Sequence, residues 1–193
     1  MKTVTLITGG VRSGKSRYAL ELAQARHREE KAFLATPDPL HDELEERVAF
    51  EQNKPERDFP LADQPVFLAR EIMKAQNETD LVLIDSLTVW LNNLLYHFTG
   101  QPKMIEREIQ AFLGVVGEKR TDMIFVTNEV GFGITPENLA ARKFAEQLGD
   151  LNQKVARLSD EVVLMVSGIP QVIKRSTVDA GFDDLEHFPN NIF

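Results

Sequence analysis

The sequence predicts an α/β domain in which a mostly parallel central sheet is flanked by helices. Three features of the chain predict it. Short β-branched or apolar runs alternate with longer stretches whose apolar residues recur at helical spacing, the pattern of strand–helix–strand units. One run, Leu81-Val82-Leu83-Ile84-Asp85, has four apolar residues in succession, as a strand covered on both faces requires. The first run, Lys2–Thr8, leads through a glycine-containing turn straight into a helix that starts near Ser16.

That turn is Gly9-Gly10-Val11-Arg12-Ser13-Gly14-Lys15-Ser16, which reads G-x-x-x-x-G-K-S. Glycines let a backbone turn tightly and approach a phosphate with no Cβ in the way. Successive N–H groups then form a nest for anions, and the following helix adds the positive end of its dipole. Lys15 brings a cation for the outer phosphates, with Arg12 as a possible second. Ser16 offers a hydroxyl to Mg²⁺, which takes oxygen ligands. The pattern therefore predicts nucleotide binding by residues 9–16.

Further along, Lys31–Thr36 reads as a short buried strand ended by Pro37-Asp38-Pro39. Leu40 to about Asn53 is helical and charged, and Lys54–Asp63, with Pro55 and Pro60, is a loop. A second helix is expected over Gln64–Gln76, with Val66, Phe67, Ile72 and Met73 in the core. Asp85 ends the apolar strand at its carboxyl edge, where open α/β sheets bind ligands. A carboxylate there can hold Mg²⁺ across from the loop hydroxyl. It can equally cap a helix that begins at Ser86 or Leu87. That helix runs to Phe98 with Trp90 in the core, Gly100 and Pro102 break the chain, and Met104–Gly117 is helical again. Asp122–Thr127 is the next buried strand. Asn128 and Glu129 follow, either facing the γ-phosphate and substrate or merely opening the loop that holds Gly131 and Gly133. Thr135-Pro136-Glu137 has the form of a helix start with proline at the first position. The stripe Leu139, Phe144, Leu148, Leu151, Val155 and Leu158 continues that helix. Glu161–Val166 is a fifth strand, Ser167–Pro170 a turn, and Gln171–Lys174 a last short strand. Residues 1–174 are thus expected to form one nucleotide-binding domain. Residues 175–193 would be a polar tail, packed on that domain or partly flexible.

Composition narrows the function classes. The 193 residues carry 22 Lys and Arg against 30 Asp and Glu, a net charge of −8, which argues against a broad nucleic-acid footprint. There is no cysteine, which excludes disulfides, thiolate metal sites and cysteine nucleophiles. The apolar runs are too short to span a bilayer, and no leader precedes the first strand, so a cytoplasmic location is expected. His27, His41, His97 and His187 form no metal-ligand spacing.

Beyond these readings, ordered blocks over nearly the whole chain resemble the bifunctional adenosylcobinamide kinase / adenosylcobinamide-phosphate guanylyltransferase family of cobalamin assembly. The loop at 9–16 is similar to the family's G-G-x-R-S-G-K-S. Leu34-Ala35-Thr36 is similar to its second-strand end, a nucleotide contact in the family. Asp42-Glu43-Leu44 with Arg47-Val48 resembles its D-x-E-M-x-x-R-I helix. Asp85-Ser86-Leu87-Thr88-Val89-Trp90 with Asn93-Leu94-Leu95 resembles D-C-L-T-L-W-x-x-N-L-L. Val126-Thr127-Asn128-Glu129-Val130-Gly131, with Gly133-Ile134 and Pro136-Glu137, is close to V-T-N-E-V-G-x-G-I-x-P-E. Gly149, Asn152-Gln153 and Val166-Ser167-Gly168-Ile169-Pro170 complete the set.

The resemblance implies a RecA-like P-loop fold, a homo-oligomer such as a trimer, and a corrinoid substrate. It implies two activities: phosphorylation of the aminopropanol hydroxyl of adenosylcobinamide with ATP or GTP as co-substrate, and GMP transfer from GTP through a guanylylated histidine. That histidine has no counterpart here, where Glu51 occupies its position in Arg47-Val48-Ala49-Phe50-Glu51. The expected catalytic set is therefore Lys15, Asp85, Glu129 and Glu51. Glu43 and Glu129 are the two candidates for a base. Ser16 and Asp85 would hold Mg²⁺. Nucleotide contacts are expected from Gly9 to Ser16 and from Leu34, Ala35, Thr36, Asp63, Asp85 and Asn128. Three functional readings follow: a cobinamide-type kinase, a full bifunctional enzyme with another nucleophile, and a nucleotide-binding switch or partner protein reduced in catalysis.

Overall fold

The computed structural model describes residues 2–26, 31–35 and 66–176. The expected helix at 40–53, the loop at 54–63 and the tail beyond Ser176 lie outside the described residues. So do Thr36, Glu43, Glu51, Asp63, His27, His41 and His187.

In chain order the described elements are β1 (Val4–Gly9), α1 (Lys15–Ala25), β2 (Lys31–Ala35), α2 (Leu68–Ala75), β3 (Leu81–Asp85) and α3 (Leu87–His97). They continue with α4 (Pro102–Glu118), β4 (Asp122–Val126), α5 (Leu139–Leu158), β5 (Glu161–Val166) and β6 (Ile169–Arg175). The strands form one six-stranded sheet in the order β2-β3-β4-β1-β5-β6. The first five are parallel, and β6 closes the edge antiparallel to β5. β1 lies between β4 and β5. The strand that ends in Asp85 is therefore not next to the phosphate-type loop, because β4 separates them.

Helices cover both faces. Period-two alternation sends Val82 and Ile84 of β3 into the larger core, and Leu81 and Leu83 into the smaller one. All four are fully buried, which is why the run has no polar alternation. The smaller core packs α1 through Ala19 and Ala23, small residues that bring the helix close to the sheet. The larger core receives the other helices. Trp90 anchors it, 4.8 Å from the Phe112 ring, with its indole N–H donating to the Val66 carbonyl at 2.9 Å. The expected core role of Trp90 is what the structure shows.

Three element boundaries and two core assignments differ from the sequence expectation. Proline does open a helix, but at Pro102 and not at Pro136. The long helix α5 starts at Leu139 because Asn138 caps it, its side-chain oxygen accepting from the N–H groups of Ala140 at 2.8 Å and Ala141 at 3.1 Å. Leu139 consequently sits in the capped first turn and is exposed, and the buried stripe begins with Leu148. In α2, Leu68, Ala69 and Ile72 face the core, whereas Phe67 and Met73 are exposed. The β5–β6 connection is tighter than expected: Ser167 and Gly168 both take positive φ, and β6 starts at Ile169 and runs through Arg175.

Candidate active site

The carboxyl edge of the sheet gathers the ends of β1, β3 and β4. At β1 the chain leaves the strand through Gly9, whose φ is +151°. A Cβ at this position would lie 2.5 Å from the Met165 carbonyl oxygen and 2.9 Å from Ser13 Oγ, so only glycine fits. The loop closes on itself through Ser13 N–H to the Gly10 carbonyl at 3.3 Å. It is braced from outside by Gly168 N–H, which donates to the Ser13 carbonyl at 3.0 Å. The tight β5–β6 turn therefore buttresses the loop, a role that sequence reading did not assign to it.

Gly14 then takes left-handed φ of 92° as the N-cap of α1, with no side-chain cap. The first-turn N–H groups of α1 meet no capping oxygen, which is the local chemistry of an anion site. Lys15 is 7% exposed, and its Nζ donates to the Gly10 carbonyl at 2.6 Å, so the ammonium lies over the loop. Ser13 Oγ and Thr8 Oγ1 are buried polar atoms with no hydrogen-bond partner among the described residues. Val11 and Arg12 are exposed on the outer side of the loop.

At β3, Asp85 is the last strand residue and is 6% exposed. It is not the cap of the next helix. Ser86 is, with its Oγ accepting from Val89 N–H at 3.4 Å. Ala35 of β2 is in register with Asp85, and the Leu34 side chain is buried in the larger core. At β4, Thr127 N–H donates to the Ile7 carbonyl and Glu129 N–H to the Gly9 carbonyl, both at 2.9 Å. Glu129 is thereby tied to the first residue of the phosphate-type loop. Its Oε1 accepts weakly from Gly131 N–H at 3.4 Å.

The structure thus brings residues 9–16, Asp85, Asn128 and Glu129 to one edge. Sequence reading treated Thr88, Thr127 and Asn152 only as members of matched blocks. All three contact the Asn128 segment. The signal for Asn152 was present, since an amide stands on the otherwise apolar α5 stripe between Leu148 and Val155. His97 is exposed at the end of α3 and packs edge-on against Phe98, 4.6 Å between centroids, away from these groups.

A glycine loop of this geometry at the end of the central strand of a mostly parallel sheet defines a RecA-like P-loop nucleotide-binding protein. Solved structures agree on the fold. A KaiC-like protein from Pyrococcus horikoshii is similar with a TM-score of 0.50 at 18% identity, covering 84% of this chain and 70% of that one. A prototypical ATPase from the type III secretion system of pathogenic bacteria is similar with a TM-score of 0.52 at 12% identity, covering 84% and 50%. Within that class, the chain belongs to the cobinamide kinase / cobinamide phosphate guanyltransferase family, whose model matches residues 5–173. It is 34% identical over 181 residues to the bifunctional adenosylcobalamin biosynthesis protein CobU of Escherichia coli, covering 88% of this chain and 98% of that one. It is 32% identical over 169 residues to the bifunctional adenosylcobalamin biosynthesis protein CobP of Pseudomonas aeruginosa, covering 88% and 96%. The family is one of P-loop transferases that use a nucleotide co-substrate. No helix among the described residues is long and apolar enough to cross a membrane.

Proposed function

We propose that this protein phosphorylates the hydroxyl of adenosylcobinamide, with ATP or GTP as donor. The observation that carries this reading is the backbone bond from Glu129 N–H to the Gly9 carbonyl, which seats a carboxylate residue beside the phosphate loop. Phosphoryl transfer asks for positioning and charge stabilisation more than for covalent chemistry. The loop N–H groups would hold the phosphates, and Lys15 would neutralise charge on the outer ones. The acceptor oxygen attacks the γ-phosphorus, the bond to the β–γ bridging oxygen breaks, and the nucleoside diphosphate leaves. Glu129 would take the hydroxyl proton, and Asn128 would orient the γ-phosphate.

Ser16 and Asp85 would hold Mg²⁺. A hydroxyl and a carboxylate are the hard oxygen donors that ion takes, and it keeps its remaining positions for water and phosphate. When bound, the ion would screen charge developing on the transferred group. Leu34, Ala35, Thr36 and Asp63 remain proposed nucleotide contacts, with Leu34 contributing through its backbone. We assign the soluble catalytic unit to a homo-oligomer acting on a corrinoid, in the cytoplasm.

The second family activity runs through a histidine that this chain replaces with Glu51. A carboxylate nucleophile would carry GMP as an acyl phosphate instead of a phosphoramidate, which changes the leaving group of the next step. The proposal is therefore kinase without guanylyl transfer. In a coupled assay, purified protein should release ADP or GDP only when cobinamide is added. Bound nucleotide with no cobinamide-dependent release would end the kinase reading. Incubation with α-labelled GTP should leave the protein unlabelled, and stable covalent label would restore the second activity.

A further inference from the structure

Beyond β3 the sheet has nothing left to offer Asn128. In an extended strand, alternate residues point their backbone N–H and C=O groups to opposite sides. Thr127 and Glu129 point theirs to β1, where Ile7 and Gly9 accept. Asn128 points to the other side, toward β3. That strand ended at Asp85, in register with Val126, and the chain there has already turned into α3. The backbone groups of Asn128 need partners from elsewhere.

Side chains supply them as a closed ring. Asn128 N–H donates to Thr88 Oγ1 at 2.8 Å. Asn152 Nδ2 donates to the Asn128 carbonyl at 3.0 Å. Thr127 Oγ1 donates to Asn152 Oδ1 at 2.8 Å. Thr88 Oγ1 lies 3.4 Å from Thr127 Oγ1, and since the Thr127 proton is committed to Asn152, Thr88 is the donor in that pair. Every donor has an acceptor, and the sense of each bond fixes the next. The orientation of the Asn152 amide is set as well, because a flipped amide would oppose its oxygen to the Asn128 carbonyl. Asn152 and Thr127 are buried, so water does not readily replace these partners.

We propose that Thr88, Thr127 and Asn152 are positioning residues for phosphoryl transfer. Their ring clamps both backbone groups of Asn128. It thereby ties the Asn128–Glu129 pair to the first turn of α3, one turn from Asp85, while the Glu129 backbone ties the same pair to the phosphate loop. Three segments that bear the reacting groups are held in one frame. This rests on the kinase reading, in which Asn128 and Glu129 address the γ-phosphate and the acceptor. The ring itself makes a claim about rigidity that stands apart from activity.

The test uses Thr127→Val, which keeps the shape and removes the hydroxyl, with Thr127→Ser as the conservative rescue. Asn152→Asp is a second variant, which replaces the donor to the Asn128 carbonyl with an acceptor. Cobinamide-dependent kcat should fall about 10- to 100-fold in Thr127→Val, the scale expected for misplacing groups in an otherwise intact site. The KM for nucleotide should stay within about threefold, because the loop at 9–16 is untouched. Thr127→Ser should recover most of the rate. Independently, the backbone amide of Asn128 should exchange at least about tenfold faster in Thr127→Val and Asn152→Asp, and near the wild-type rate in Thr127→Ser. Unchanged exchange at Asn128 in the folded variants would overturn the ring, whatever the kinetics. Faster exchange with full kcat would overturn its role in positioning. A wild-type protein inert toward cobinamide would sink the kinase reading, and the exchange comparison would still decide the ring.

Discussion

The two edges of the sheet are both rich in polar side chains, and they use them differently. At the amino edge, most polar groups satisfy one another across long stretches of chain, although the buried Oδ2 of Asp122 accepts no hydrogen bond among the described residues. Asp160 accepts from Val4 N–H at 2.8 Å and from Lys119 Nζ at 2.6 Å. Asp122 accepts from Thr3 N–H at 2.6 Å, and Lys2 pairs with Asp80 at 3.0 Å. Lys174 Nζ reaches the carbonyls of Ala156, Arg157 and Ser159 and so closes the carboxyl end of α5. At the carboxyl edge the ring around Asn128 is satisfied, but Ser13 Oγ and Thr8 Oγ1 are buried with no hydrogen-bond partner among the described residues, and α1 opens with no side-chain cap. Mutually satisfied groups hold strands in register. Buried groups without partners cost stability and make sense as ligand contacts. The amino edge thus ties the fold together, and the carboxyl edge is where the proposed site places its ligand.

The strongest way to break this contrast is Lys15→Ala. If the carboxyl edge serves catalysis, cobinamide-dependent turnover should fall by about 10²–10³-fold, the usual cost of one electrostatic contact to a transition state. The thermal midpoint should hardly move, since a buried ammonium adds little to the fold. Calorimetry beside the coupled assay checks both. A large loss of stability would mean that Lys15 is structural.

Asp160→Asn is the mirror experiment. It keeps the shape, removes the charge and leaves Lys119 and Lys174 without it. The expected cost is about 1–3 kcal/mol, in the range for hydrogen bonds to charged groups, with kcat within about twofold of wild type. Urea titration reads the first and the coupled assay the second. Burial works to raise the Asp160 pKa. The Lys119 hydrogen bond, the Val4 N–H and the charges of Lys119 and Lys174 outweigh burial and hold it below the ordinary 3.8. Lys174 is shifted down as well, because its burial and the nearby Lys119 outweigh the pull of Asp160. A carboxyl with a depressed folded pKa contributes stability that is complete above its unfolded value and lost as pH falls through the folded one. Wild type should therefore lose its advantage over Asp160→Asn only in strongly acid solution, below the ordinary carboxylate range. A difference between the two that shrinks near neutral pH would contradict the assignment.

The same contrast explains what could be read from the sequence. β3 was legible because burial on both faces leaves no polar alternation, and the loop at 9–16 because its chemistry is local in sequence. Met73 misled because it lies one residue past Ile72, about 100° round the helix from the core. Pro136 misled because Thr135-Pro136 has a good local form, while the cap that decides is Asn138, two residues on. The hydrogen-bonded ring was illegible for a different reason. Thr88, Thr127 and Asn152 come from three elements, and only the β3-to-α3 turn leaves the Asn128 backbone in need of them. That Asp85 does not cap the next helix likewise needed coordinates, since Ser86 takes the cap.

Helix α5 joins the two edges, so its ends offer the finest test of the contrast. It starts at the carboxyl edge with Asn138, whose side chain satisfies two N–H groups but lies in an exposed turn. It finishes at the amino edge, where Ser159 is buried and Lys174 takes the last carbonyls. A capping asparagine is worth about 1 kcal/mol when replaced by alanine. Asn138→Ala should accordingly cost no more than about 1 kcal/mol in urea titration, below Asp160→Asn. Its amide exchange should quicken only within the first turn of α5, well short of Asn152. An Asn138→Ala cost equal to that of Asp160→Asn, or exchange that spreads as far as Asn152, would mean that α5 is held as firmly at the site end as at the other. The site-end cap would then be part of what ties the fold together, and the division of labour between the two edges would fail at α5.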